Sequence, residues 1–178
     1  MNKTSLNLLD DDDGASGIEF ALLAPVFIIF FLMAITVFDL FRTYQNIVQA
    51  NGIVADVVSR QTSIDDKTLN NLYGVFTNIQ TTRQSENAIR VSILKRKGAG
   101  FEVTWSKLRG SESLFPDQEI EPGRLPDISN GDSIVYVEGA ARYLGLTSFF
   151  GLGKIPLSSV AFSRPRFAST IVYNGLGF

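Results

Sequence analysis

The chain has 178 residues, 45% of them apolar, and a formal net charge of −2. That is enough for one ordinary domain plus an anchor, and it carries no electrostatic footprint for nucleic acid. With no cysteine and no histidine, thiol nucleophiles, thiolate zinc sites, imidazole bases and Ser-His-Asp triads are excluded together.

Four acids, Asp10 to Asp13, precede a long apolar run. They lack the spaced ligands and the glycine of a calcium loop, so they read as a solvated acidic tail. From Phe20 to Phe38 no charge occurs, and Thr36 is the sole polar residue. At ~1.5 Å per residue the run is roughly 28 Å long, close to the hydrocarbon thickness of a bilayer. A soluble core helix needs a polar face that this run lacks. A secretory signal has a shorter apolar stretch behind a basic flank. Here the flank is acidic, and no small-x-small cleavage site follows Phe38. The run therefore predicts a membrane helix, with Pro25 as a bend inside it.

In DLFRTYQNIVQANGIVADVVSRQ the apolar positions Leu40, Phe41, Tyr44, Ile47, Val48, Val54, Val57 and Val58 recur at helical spacing, with a lapse at Asn51 and Gly52. One helix from Ile18 to Arg60 is expected, its first half in lipid and its second half carrying a domain. Gly52 is its weak point, and Asp39 is placed to pair with Arg42 one turn on.

SIDDKTLNNLYGVFTNIQ restarts helically, with Ser63 and Asp66 as a capping pair. TTRQSEN, from Thr81, is a polar connector. AIRVSILKRK and FEVTWSKLRG alternate with period two around Gly98 and Gly100, a hairpin signal. Pro116, Pro122, Pro126, Gly123 and Gly131 mark residues 110–132 as a loop. DSIVYVEGAARYL is a third strand, and LSSVAFSRPRF and ASTIVYN give a fourth and a fifth, with Pro165 at an edge or a break. The order predicts an α+β fold: a long N-terminal membrane and stalk helix, then a small antiparallel-sheet domain with a short helix.

Little of this is catalytic. FFGLGKIP clusters Gly151, Gly153 and Lys154 but lacks phosphate-loop spacing and reads as a glycine turn. Glu102, Glu112, Asp117, Glu119, Glu121, Asp127, Asp132 and Glu138 are scattered, Trp105 reads as core, and Lys95 to Lys97 as solubilising turn charge.

One residue stands out. Glu19 sits at the mouth of the apolar run, where a carboxylate in the first helical turn complements the helix dipole, and where an intramembrane carboxylate is usually functional. The surrounding GASGIEFALLAP, with Gly14, Ala15, Glu19, Phe20, Ala21, Leu22 and Pro25, resembles the TadE/TadF-like pseudopilins of bacterial tight-adherence (Flp) pili. Beyond Arg60 only the general plan of a periplasmic domain on a helix is similar.

The resemblance implies the following. A prepilin peptidase cuts between Gly14 and Ala15, removing a leader of residues 1–14. Residues 15–60 form the membrane and stalk helix, with the span at about 20–38, and residues 61–178 form a periplasmic domain. Glu19 becomes the fifth residue of the mature chain and pairs with a new α-amine, its own or a neighbour's, setting register between subunits with Phe20 beside it. The protein is a non-enzymatic minor pilin of the bacterial inner membrane, N-terminus cytoplasmic, with no cofactor and no metal. Its partners are the prepilin peptidase, other pilins and minor pilins, the inner-membrane platform and the lipid bilayer, with no nucleic acid. This leader, Lys3 against four aspartates, is acidic where the family's leaders are basic. Two other readings stand beside it: an uncleaved single-pass sensor or ligand-binding module, and a membrane-anchored hydrolase using carboxylates.

Overall fold

A single helix, α1, runs from Asp13 to Ser59 in the computed structural model, which describes residues 13–80, 84–115, 125–145 and 154–174. Residues 1–12 of the expected leader (1–14), the start of TTRQSEN, the centre of the proline-bearing loop and the glycine turn FFGLG lie outside the described residues. The chain divides into two units, one ending at Phe38 and the other running from Asp39 to Phe178.

In the first unit α1 is apolar and exposed. Phe20, Phe27, Phe30, Phe31 and Phe38 all face outward, as do Leu22, Ile28, Ile29 and Met33. The helix continues through Pro25, although proline removes one ladder bond. Thr36 satisfies its own hydroxyl by donating to the Leu32 carbonyl at 2.7 Å.

The second unit is built around the rest of α1. Ile47, Ala50, Val54, Ala55 and Val58 are buried from that helix. They pack with Leu69, Leu72 and Phe76 of α2 (Asp66–Ile79). Beneath both helices lies a four-stranded antiparallel sheet formed by β2 (Gln84–Lys97), β3 (Gly100–Gly110), β4 (Ser133–Tyr143) and β5 (Ile155–Ser163), in the order β3-β2-β4-β5. Strand alternation sends Ile89, Val91 and Ile93 of β2, and Val135, Val137 and Ala141 of β4, to the helix side. The α+β architecture of long apolar helix, antiparallel sheet and short helix is the one expected.

Three details differ from local expectation. Gly52 does not break α1, because buried neighbours on both sides of it hold that turn against the sheet. Asp65, not Ser63, caps α2, its carboxylate accepting the Thr68 N–H at 2.7 Å. Ser63 instead lies in β1 (Ser63–Ile64), which pairs in parallel with β6 (Val172–Tyr173) near the C-terminus. The fifth strand of the sequence pattern thus leaves the main sheet, and Pro165 falls just past the end of β5.

The lapse at Asn51 has a structural cause. Asn51 is fully buried, and its amide donates to the Ser159 carbonyl at 2.8 Å and to Ser159 Oγ at 2.7 Å on β5. It crosses β4 at Gly139, where a Cβ would stand 2.2 Å from Asn51 Oδ1 and 2.5 Å from Phe76 Cε2. Only a residue without a side chain admits helix and strand this closely. Gly139→Ala is expected to destabilise the second unit by about 2 kcal/mol through overpacking, read as a lower midpoint in thermal unfolding of the detergent-solubilised chain. An unchanged midpoint would contradict the close packing of Asn51 and Phe76 on Gly139.

Candidate functional site

All five positions singled out at the N-terminus, Gly14, Ala15, Glu19, Phe20 and Pro25, lie on α1. Positions 15 and 19 are four apart and so share one helix face. Glu19 is exposed, and Phe20 is 71% exposed beside it. The site is thus a helical surface whose one carboxylate borders uninterrupted hydrocarbon. Among the described residues α1 is the one helix long and apolar enough to cross a membrane.

Where the apolar run ends, the polar structure begins at once. Asp39, the residue after Phe38, accepts the Tyr143 hydroxyl at 2.6 Å from the end of β4. Sequence spacing offered Arg42 as its partner. Tyr143 lies 104 residues away, beyond any local pattern. Thr43 donates to the Asp39 carbonyl at 2.9 Å.

Two further polar clusters stand out among the described residues of the second unit. At the first, the Glu86 carboxylate gathers Ser113 at 2.9 Å, Ser111 at 3.3 Å, Arg142 at 3.5 Å and Lys154 at 3.8 Å. The Ser113 hydroxyl, with the two cations, holds Glu86 below its ordinary range. The second cluster clasps the C-terminal segment. Asp66 accepts Tyr173 Oη at 2.7 Å and also the Arg109 guanidinium, while Arg109 Nε donates to Asn70 at 2.8 Å. Trp105 packs against Tyr173 and donates its indole N–H to the Ile171 carbonyl at 2.8 Å. The Tyr173 hydroxyl, then Arg109, lowers the Asp66 carboxyl, and Asp66 in turn raises Tyr173.

The face of the sheet away from the helices holds a third polar feature. Arg90 and Glu138 pair at 2.5 Å with both side chains largely buried, and Arg90 lies over the Phe115 ring at 5.1 Å. A buried pair of this kind is strongly destabilising to break from one side and carries no chemistry by itself. Among the described residues no group of three potential metal-ligating side chains converges.

No protein-family model matches the chain, and no curated protein or solved structure matches it. Its class follows from its own architecture: an α+β domain on a helix that fits a single-pass membrane anchor.

Two outcomes follow from this geometry. Ile29→Arg, in mid-run, is expected to oppose insertion by about 3 kcal/mol and to release the chain from membranes under alkaline carbonate, whereas Gln45→Arg, on an exposed position of the second unit, leaves partition unchanged. In the clasp, the lowered Asp66 contributes stability above its ordinary value of 3.8 that is lost as pH falls through the folded value. Emission from Trp105, the sole tryptophan, should therefore shift as pH drops below 3.8. Asp66→Asn should remove that acid dependence, and a variant with the wild-type profile would contradict the clasp.

Proposed function

We propose that this chain is a TadE/TadF-like minor pilin. It is a non-enzymatic subunit held in the bacterial inner membrane by Phe20 to Phe38, cut by a prepilin peptidase between Gly14 and Ala15, and acting in assembly of a tight-adherence pilus. Its C-terminal domain lies in the periplasm. The observation that supports this most is GASGIEFALLAP at the head of a helix that runs on, without a break, to Ser59. A membrane anchor joined to a separate binding domain needs no such continuity. A subunit that packs by its helix along its length draws on it.

The chemistry of the motif accords with that role. Gly14, Ala15 and Ser16 are small and leave a peptidase unobstructed access. Cleavage leaves an α-amine at Ala15, one helical turn from Glu19. In a low-dielectric surrounding, pairing the two offsets the desolvation of each, while either alone is a large penalty. Glu19 thereby selects the register in which an amine faces it. The partners of this reading are the peptidase, other pilins and minor pilins, and the inner-membrane platform. The acidic leader favours a second reading, an uncleaved single-pass sensor in which Glu19 is an ordinary first-turn carboxylate.

Intact mass of the chain extracted from its native membrane separates the two. The pilin reading expects a mature chain beginning at Ala15, with processing slowed by Gly14→Val. Glu19→Ala should be cleaved normally yet leave an amine unpaired, at about 3 kcal/mol, lowering assembly by roughly a hundredfold. Full-length mass in a cell that processes its other pilins supports the sensor instead.

A further inference from the structure

The four-stranded sheet has two unlike edges. β3 closes one side and carries Glu102, Lys107 and Arg109, with a register shift where it meets β2. Charges and bulges of this kind keep an edge from pairing with another chain. β5 closes the other side. Its nine residues, IPLSSVAFS, include no charge. Its ladder with β4 runs from Tyr143↔Ile155 to Val135↔Ser163 without a shift.

Register fixes which backbone groups of β5 point outward. Arg96 on β2 donates to the Asp132 carbonyl at 2.9 Å and accepts the Gly131 N–H at 3.0 Å, so it faces the chain entering β4. Backbone direction alternates along a strand. Arg90, Ser92 and Leu94 therefore also face β4, and their partners Glu138, Tyr136 and Ile134 face back. The odd-numbered residues of β4 are left to face β5, where they meet Leu157, Ser159 and Ala161. The N–H groups of Ser158, Val160 and Phe162, with their carbonyls and that of Pro156, then point away from the sheet. Pro156 has no N–H and falls where it costs no ladder bond. Among the described residues this row has no partner. Pro156, Ser158 and Phe162 are also exposed.

Charge decides what can dock there. Lys154 and Arg164 flank the strand. Lys154 keeps 47% of its side-chain surface open and meets Glu86 only at 3.8 Å, and Arg164 is exposed. A second copy pairing antiparallel along the whole of β5 would set Lys154 opposite Arg164 at both ends, and like charges directly opposite are destabilising. We propose that the free edge of β5 takes an extended strand of another polypeptide, neutral along its middle, with one carboxylate opposite Lys154 and one opposite Arg164. Main-chain bonds to Ser158, Val160 and Phe162 supply the affinity, and the two end pairs supply the choice of partner. The proposal rests on the second unit alone and takes nothing from the membrane span or the leader.

The full chain in detergent micelles is titrated with a synthetic peptide of alternating threonine and valine between two terminal glutamates, its neutral part matching the nine residues of β5. Amide hydrogen exchange is followed residue by residue. Exchange at Ser158, Val160 and Phe162 should be fast without peptide and slow several-fold when the peptide binds. The same peptide with lysine at both ends should bind about tenfold more weakly, and Arg164→Glu should narrow that gap. N-methylation of the peptide residues that face β5 should abolish the protection. Three results overturn the proposal: no slowing by the glutamate-ended peptide, equal binding of the two peptides, or equal protection by the N-methylated one. Protection of these amides without peptide also overturns it, because the edge is then already covered. If that protection rises with the concentration of the chain, the cover is a second copy.

Discussion

Hydrocarbon is the solvent that the surface of α1 between Phe20 and Phe38 requires. Phe20, Phe27, Phe30, Phe31 and Phe38 are all exposed, and each is worth about 1.5–3 kcal/mol when removed from water. These five alone match the ~5–15 kcal/mol that holds a whole domain together. A chain carrying that surface in water would aggregate or bury it.

The same helix then changes solvent without changing secondary structure. Past Asp39 its inward residues become the centre of a core that two helices and a sheet share. Polar groups mark the change: Asp39 ties to Tyr143, and farther on Asn51 ties to Ser159 across Gly139. Asn51 is a specificity device more than a source of stability, since its Oδ1 is buried without a partner. A leucine in its place would satisfy the helix pattern but would not name β5 as the strand to meet.

Much of this was legible in the residues. The membrane run announces itself by its lack of charge, the core half of α1 and the α2 stripe by spacings of three and four, and the hairpin by alternation around Gly98. What escaped was nonlocal. Ser63 reads as a helix cap because a serine three before an acid is the usual signature, yet it pairs with β6, more than a hundred residues on. Asp65, a favoured cap residue without an acid three later, takes the role because its carboxylate reaches the Thr68 N–H. The partner of Asp39 and the Arg90–Glu138 pair could not be read locally, because strand register brings them together. Asn51 is the instructive case. The lapse it makes in the apolar pattern resembled weakness in the helix and is a buried contact. The residues from Gly14 to Pro25 are a different kind of signal, since nothing in the fold of the described residues calls for that pattern.

Membranes from cells carrying the untagged full-length chain, washed with alkaline carbonate and then extracted with detergent, test the central claim most directly. The account requires the chain to stay in the pellet through carbonate and to enter solution only with detergent. Its recovery in the aqueous wash, folded and monomeric, would mean that α1 finds its apolar partner in protein and not in lipid.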